Sequence, residues 1–297
     1  MSTKTRAALE LIFAGSLWGF GFVATLFALQ EFTPIETLVY RFVVAGFIGE
    51  IIYLLIRGAH FRSLKNDILK ALPAGFLLAT MLLLQTVGLK FTTATKSGFL
   101  TSLYVILVPL INTAIFGHAI SLRNFVFVLM ALVGTFILVG GQLESINVGD
   151  LWTIACSVVA ALHIIYIGRV SNKVGNAFRF NNFQSLWCLL ALAPLLFTQD
   201  TVKTSTASWI PWMGVLILGL GSSIIAFYLQ IRTQKVLSDS TASMLFLLES
   251  PFAALFGFLI LSERLSWSQT GGAVLILVAS ILQIAFDPSV KTTETKR

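Results

Sequence analysis

The sequence contains few charged residues. Lys, Arg, Asp and Glu together make up 11% of its 297 residues, whereas an ordinary soluble domain contains about 25%. Hydrophobic residues make up 57%, and intrinsic disorder requires the opposite combination of low hydrophobicity and high net charge. The composition therefore excludes a disordered chain and a typical water-soluble enzyme, and it predicts a polytopic membrane protein.

Cysteine and histidine are also scarce. The two cysteines, Cys156 and Cys188, lie inside apolar runs, which favours small core residues over a disulfide or a metal pair. Two of the three histidines, His60 and His118, fall between the apolar runs, and no spacing typical of metal ligands occurs. The sequence has no GxxxxGK[ST] loop, so we expect no ATP hydrolysis and no cofactor.

Long apolar runs dominate the chain instead. A helix that crosses about 30 Å of hydrocarbon needs about 20 residues, and ten runs of roughly this length predict an all-α protein with ten transmembrane helices. The approximate predicted spans are 7–27, 35–56, 71–89, 97–116, 124–141, 151–168, 180–198, 211–231, 240–261 and 267–286. The connections are too short to fold as a soluble domain.

The basic residues are distributed unevenly between the two sides of these spans. The segments on the side of the N-terminus hold 15 Lys and Arg, the opposite loops hold 4, and Arg41 lies inside a span. Because cytoplasmic loops carry the excess of Lys and Arg, both termini are predicted to be cytoplasmic. No basic face of the kind that binds nucleic acid is present. The predicted partner is a lipid bilayer, and a bacterial cytoplasmic (inner) membrane is the simplest location.

The two halves of the chain are similar to each other. The segment that begins at Gly88 corresponds to the one that begins at Thr233, 145 residues later, and the fifth and tenth spans correspond at the same offset. Five is an odd number of crossings, so the second copy must enter the membrane from the opposite side, as in many secondary transporters. The predicted organisation is a first repeat at 1–141, an inverted second repeat at 150–286 and a short cytoplasmic tail at 287–297.

Pro109 and Pro251 occupy corresponding places in the fourth and ninth spans. Each proline removes a backbone donor and so frees the carbonyl four residues earlier, at Val105 and Leu247. Paired helix breaks near the midplane are typical of transporter binding sites. We therefore predict a coupling or gating role for both prolines in an alternating-access mechanism.

Several motifs resemble the EamA-type branch of the drug/metabolite transporter superfamily. They are Leu17-Trp18-Gly19, Pro34 before Arg41, Gly88-Leu89-Lys90-Phe91-Thr92, Glu249-Ser250-Pro251 and Leu261-Ser262-Glu263-Arg264-Leu265. The resemblance covers essentially the whole chain and implies a carrier that exports small metabolites or drugs through a cavity between spans 1, 3, 4, 6, 8 and 9. One departure is that Ala160 and Ala161 stand where the sixth span would repeat Trp18-Gly19.

Glu249 is the strongest candidate among the ionisable residues within the spans. An ionisable side chain at this depth costs at least about 2.5 to 3.5 kcal/mol, so it requires a partner, an aqueous cavity or a function. Glu249 stands two residues before Pro251 and could bind a coupling proton or face a cationic substrate. The alternative is a structural hydrogen bond that fixes the kink.

Three other ionisable residues lie within the spans. His163 could relay protons or contact substrate, although a neutral histidine satisfied by a neighbouring helix is favoured. Arg41 cannot lose its charge, so we expect an ion pair with Glu36 or Glu263 in a structural or gating role. Glu50 is expected to pair with a basic residue on the inner side.

Aromatic and amide side chains complete the predicted site, since small-molecule sites are apolar pockets with a few polar groups. The predicted substrate-binding residues are Trp18, Gln85, Tyr104, His163, Tyr228 and Glu249, and the predicted coupling or gating residues are Glu249, Arg41, Pro109 and Pro251. For each aromatic residue, packing or an interfacial position is the alternative.

The leading functional hypothesis is a secondary transporter. It would export small organic compounds such as amino-acid-like molecules, amines or nucleobases, with protons as a candidate coupling ion. An uncoupled facilitator is the first alternative. An integral-membrane enzyme that acts on lipid-like substrates is a weaker one, because it would need acid, base or metal-binding residues clustered at one depth.

Overall fold

The computed structural model describes residues 2–57, 64–89, 91–92, 94–117, 120–141, 146–199 and 208–286. Lys90 of the third-span motif, His60, His118 and the predicted tail 287–297 lie outside these residues.

Every regular element in the described ranges is helical, which confirms the predicted all-α membrane fold. Among the described residues, nine helices are long and apolar enough to cross a membrane, and a tenth, Leu122–Leu138, is apolar but shorter. The helices are α1 (Thr3–Ala28), α2 (Pro34–Val43, Val44–Ile48 and Gly49–Arg57), α3 (Leu64–Gly88), α4 (Ala94–Ser102 and Tyr104–Phe116), α5 (Leu122–Leu138), α6 (Val148–Val170), α7 (Ala177–Leu192), α8 (Trp209–Ile217, Leu218–Ala226 and Phe227–Thr233), α9 (Asp239–Phe246 and Glu249–Leu261) and α10 (Trp267–Phe286).

Short polar side chains determine where the helices begin. Thr33 caps α2 by accepting from the backbone of Glu36, and the Glu36 carboxylate accepts from the Thr33 N–H at 2.7 Å. Asn147 and Asp150 form the same reciprocal pair at the start of α6. These boxes satisfy backbone donors that have no partner within the helix.

The helix starts recur along the chain at a nearly constant interval. The starts of α1 and α6 differ by 145 residues (148 − 3), as do those of α3 and α8 (209 − 64), α4 and α9 (239 − 94), and α5 and α10 (267 − 122). The starts of α2 and α7 differ by 143 (177 − 34). A duplicated five-helix unit would have this spacing, and the duplication itself stays a prediction.

Four of the helices are irregular near their centres. Val44–Ile48 in α2 and Leu218–Ala226 in α8 are π-helical, a geometry that often accompanies functional sites. The two parts of α4 meet at Leu103 and those of α9 at Leu247 and Leu248. The expectation that the fourth span breaks at its proline is wrong, because Pro109 lies within the continuous segment Tyr104–Phe116.

Consecutive membrane-crossing helices alternate in direction, which defines the two ends of the bundle. We call end A the end at which α1 begins, and end B the end at which α1 stops. Small residues allow close packing between several helices. A Cβ atom at Gly134 of α5 would lie 2.8 Å from the carbonyl oxygen of Gly272 in α10. Cys156 and Cys188 are both free and buried, as predicted.

Candidate functional site

A central cavity of about 130 Å³ lies among α1, α2, α3, α4, α6, α8 and α9. It extends from the middle of the bundle towards end B, where Thr37 and Leu89 stand near helix ends. Of the predicted site residues, the following line it: Trp18, Arg41, Gln85, Tyr104, His163 and Glu249.

Tyr104 and Glu249 meet across this cavity. The Tyr104 hydroxyl donates to Oε1 of Glu249 at 3.4 Å. Each residue is the first of the second part of its interrupted helix, α4 or α9. No other hydrogen bond to the Glu249 carboxylate is made by the residues that the structure describes. A carboxylate with one long hydrogen bond can therefore interact with a ligand in the cavity.

The lining residues come from corresponding positions in the two halves of the chain. Tyr104 and Glu249 are 145 residues apart, and so are Trp18 and His163. At this offset His163, and not Ala160 as expected, stands where the sixth helix would repeat Trp18. Gln85 and Gln230 form a third such pair, and all six side chains line the cavity. The sequence analysis did not select Gln230, although the 145-residue offset from Gln85 could have identified it.

His163 is satisfied by a neighbouring helix. Its Nε2 lies 3.0 Å from Oε1 of Gln184 in α7, and an amide oxygen can only accept, so this ring nitrogen carries a proton. Gln184 in turn donates to Asn181, which donates to the backbone carbonyl of Ser223 at 2.8 Å. This chain of hydrogen bonds joins α6, α7 and α8 behind the cavity.

The expected ion pair between Arg41 and Glu36 or Glu263 is wrong. Arg41 is 6% exposed, and its Nε donates to Oγ of Ser223 at 2.6 Å. Glu36 lies five residues earlier, which places the two side chains about 140° apart around the helix. The exposed Glu263 follows α9, and its carboxylate lies against Gly257. Within the described ranges, the Arg41 guanidinium has no carboxylate partner.

Glu50 has the basic partner that its position required. Its Oε1 lies 2.8 Å from Nη2 of Arg179 at the start of α7, and Asn182 donates to its Oε2 at 3.3 Å. Arg179 also stacks over Tyr53, with its guanidinium carbon 4.6 Å from the ring centre. Both charges of this pair are thereby compensated away from the cavity.

Tyr228 lies outside the central cavity, contrary to the location expected for it. Its ring packs 5.3 Å from that of Phe178, and its hydroxyl accepts from Arg232 at 3.4 Å. Successive helical residues point about 100° apart, so Phe227 and Gln230 line the cavity while Tyr228 faces away.

Two buried polar groups of cavity-lining residues have no hydrogen-bond partner in the described part of the chain. They are the indole N–H of Trp18 and the hydroxyl of Thr37. The Trp18 ring is held by Phe227 and Phe246, with ring centres 5.3 and 5.2 Å away. Buried polar groups are nearly always paired, so these two are further candidates for ligand contact.

Groups of three or more His, Cys, Asp or Glu that could hold a metal ion do not occur among the described residues. The polar groups that line the central cavity are therefore one guanidinium, one carboxylate and several neutral hydrogen-bond donors and acceptors.

Known proteins are similar to this chain in sequence or in fold. The model of the EamA-like transporter family matches the chain twice, at residues 5–140 and 147–285. A protein of Archaeoglobus fulgidus named an uncharacterized transporter is 32% identical over 281 residues, which cover 94% of this chain and 86% of that protein. The uncharacterized transporter YdeK of Bacillus subtilis is 27% identical over 292 residues, covering 93% and 94% of the two chains.

A protein of known crystal structure superposes with a TM-score of 0.77 over 95% of this chain and 96% of its own, at 19% identity. At this identity the likeness concerns the fold alone. Together with the apolar helices, the family match establishes a multi-pass membrane protein, and the chain belongs to the EamA-like transporter family.

Proposed function

We propose that the protein is a secondary transporter that exports small amino-acid-like zwitterions across the bacterial cytoplasmic membrane. The observation that carries this proposal is the charge of the central cavity. Arg41 and Glu249 line the same cavity, and neither forms an ion pair within the described ranges. A ligand with one carboxylate and one ammonium group would compensate both.

The two charges distinguish among the candidate substrates. A simple amine would leave Arg41 uncompensated, and a neutral nucleobase would leave both charges without a counter-ion. An uncompensated charge in a poorly hydrated cavity is costly, which disfavours such ligands. The cavity volume of about 130 Å³ is below the range of about 300 to 1,000 Å³ typical of drug-sized ligands, and this favours small metabolites.

Alternating access is supported by the one-sided position of the central cavity. The cavity extends towards end B and not towards end A, where hydrogen bonds join neighbouring helices. There Nη2 of Arg232 in α8 lies 3.3 Å from Oε1 of Glu10 in α1, and Lys70 donates to the carbonyl of Lys173 at 2.7 Å. In the proposed cycle, the two five-helix repeats change how they pack against each other, so that the central cavity closes at end B and opens at end A.

Glu249 supplies a means of coupling in this proposal. Its carboxylate can hold either a proton or the ammonium group of the substrate, but not both. A proton that arrives from end B would then displace the substrate into the outer medium. An inward proton gradient would therefore drive export, and an uncoupled facilitator would show no such dependence.

The test is efflux from proteoliposomes across a panel of labelled amino acids, amines and nucleobases, with and without an imposed pH gradient. We expect saturable, gradient-driven flux of small amino acids that Glu249→Gln abolishes. Glu263→Gln makes the same change at an exposed carboxylate outside the cavity and should retain the flux. Equal, gradient-independent flux in Glu249→Gln would instead indicate a facilitator in which Glu249 is structural.

A further inference from the structure

A cleft of about 480 Å³ lies between α1, α7 and α8 towards end A. Residues between Arg6 and Phe13 of α1 form one wall, and residues between Ile225 and Leu229 of α8, with Phe178 of α7, form the other. The cleft shares no lining residue with the central cavity. It is therefore a separate feature of the molecule that the proposed transport site does not use.

The part of the cleft that lies farther from end A is apolar and exposed. Leu9, Phe13 and Ile225 line it, with 50%, 52% and 40% of their surfaces exposed. All three lie within helices that are long and apolar enough to cross a membrane, so their exposed surfaces face hydrocarbon rather than water. The cleft therefore opens sideways to the bilayer, and its walls are suited to packing against an acyl chain.

The mouth of the cleft at end A is basic. Arg6 lines it from the first turn of α1, and Arg232, in the last turn of α8, contacts the lining residues Glu10 and Tyr228. Both guanidinium groups pair with Oε1 of Glu10, with Nε of Arg6 at 3.0 Å and Nη2 of Arg232 at 3.3 Å. Two positive charges thus share one carboxylate. The two arginine side chains remain 60% and 37% exposed, so their other N–H donors are available to phosphate oxygens.

The basic and apolar parts of the cleft are arranged like the two parts of a phospholipid. Phe13 lies seven residues after Arg6 in α1, which places it about 10 Å farther from end A. Ile225 lies the same number of residues before Arg232 in α8, which runs in the opposite direction. A soluble anion would leave the apolar walls uncovered, and a zwitterionic lipid would bring its own ammonium group to the arginines. An anionic headgroup with acyl chains fits both parts.

We propose that this cleft binds an acidic phospholipid, with its phosphate at Arg6 and Arg232 and its upper acyl chain between α1 and α8. Basic pockets between transmembrane helices on the cytoplasmic side are suited to acidic headgroups, and end A is the cytoplasmic end under the predicted topology. The bound lipid would join α1 to α8 at the end that opens in the proposed cycle. Its binding is measured without transport, so it does not depend on the proposed function.

The test is native mass spectrometry of the purified full-length chain in detergent, which counts the lipid molecules bound to each chain. The two probes are dioleoylphosphatidylglycerol and dioleoylphosphatidylethanolamine, which carry the same acyl chains and differ in headgroup charge. We expect a single phosphatidylglycerol molecule to bind at least about tenfold more tightly than phosphatidylethanolamine. Glycerol 3-phosphate, which has the phosphate without the chains, should not displace it.

Four variants locate the binding. Arg6→Gln and Arg232→Gln should each weaken phosphatidylglycerol binding by about fivefold or more and leave phosphatidylethanolamine binding unchanged. Arg123→Gln is the matched control, because Arg123 is an exposed arginine at the same end, on α5 and outside the cleft. Leu9→Trp fills the cleft without changing its charge and should also weaken phosphatidylglycerol binding. Melting of each variant in lipid-free detergent shows that its fold is intact.

Several results would overturn the lipid site. Equal binding of the two lipids would show that the cleft does not recognise an acidic headgroup. An equal loss in Arg123→Gln and Arg6→Gln would indicate attraction by the overall charge of end A. Unchanged binding in Leu9→Trp would place the lipid elsewhere, and displacement by glycerol 3-phosphate would indicate a site for soluble anions. Failure of the transport assay would leave the lipid site standing, whereas loss of the lipid site would leave the proposed function untouched.

Discussion

Arg41 and Glu249 differ from Glu50 because their hydrogen bonds are to neutral hydroxyl groups, those of Ser223 and Tyr104. We expect Arg41→Met to raise KM for amino acid transport by about tenfold or more, since hydrogen bonds to charged groups contribute about 1.5 to 3 kcal/mol. Ser223→Ala removes only the Nε hydrogen bond and keeps the charge, so its effect should be smaller. Initial rates in proteoliposomes measure both variants. An unchanged KM in Arg41→Met would rule out contact with the substrate carboxylate.

The pair between Glu50 and Arg179 should stabilise the protein without taking part in transport. Arg179 has 7% of its side chain exposed and Glu50 has 22%, so Glu50→Gln leaves a poorly hydrated cation. We expect a loss of about 1 to 2 kcal/mol and an apparent Tm lower by roughly 2 to 8 °C. Fluorescence-detected gel filtration after heating provides the measurement. The double variant Glu50→Gln with Arg179→Gln should recover part of the loss, and a fully additive result would show that the two charges are not coupled.

Sequence reasoning identified the intramembrane ionisable residues but not their partners. Each of these residues is easy to recognise, because charged side chains are rare inside apolar spans. Glu50 and Arg179 are 129 positions apart, and Arg41 and Ser223 are 182 apart. Pairing over such distances depends on which helices become neighbours, and local spacing does not contain that information.

At the scale of elements, the contact between α1 and α9 determines where Glu249 stands. A Cβ atom at Gly19 would lie 2.6 Å from Cβ of Phe252 and 2.8 Å from the carbonyl oxygen of Glu249. We expect Gly19→Ala to push the helices apart and to abolish or severely reduce transport, together with a lower Tm. Gly15, one turn earlier, faces the same helix with its nearest atom at 3.5 Å. Gly15→Ala should therefore be tolerated, and equal effects of the two variants in transport and heating assays would contradict this packing.

The irregular parts of the helices were only partly predictable. The prolines indicated that the fourth and ninth spans are unusual, and these spans are interrupted. The interruption at Leu103 lies six residues before Pro109, whereas that at Leu248 lies three before Pro251. Proline removes one hydrogen bond, but the packing of neighbouring helices decides where the chain deforms. The π-helical segment of α2 carried no signal that the sequence analysis used.

At the scale of the whole molecule, the predicted inversion of the two repeats can be tested directly. Lys90 and Lys235 lie at corresponding positions, 145 residues apart. If the repeats are inverted, Lys90→Cys should react with an impermeant thiol reagent from outside intact cells, and Lys235→Cys only after permeabilisation. The natural cysteines are buried and provide a low background. Labelling of both positions from the same side would exclude the inverted arrangement.

The sequence by itself determined that the protein lies in a lipid bilayer and that its secondary structure is helical. Apolar runs of about 20 residues can satisfy their backbone groups in a bilayer only as helices, and capping residues define where several of them start. The residue types of the cavity were also recognisable, since Trp18, Gln85, Tyr104, His163 and Glu249 all line it.

Only the tertiary structure decided which of these side chains share a cavity and which charges are compensated. It placed Tyr228 outside the cavity and Gln230 inside it, and it gave Glu50 its partner. It also left Arg41, which lines the same cavity as Glu249, without a carboxylate partner among the described residues. The physical reason is that periodicity assigns a residue to a face of its own helix, whereas the rotation and neighbours of that helix follow from the packing of all ten together.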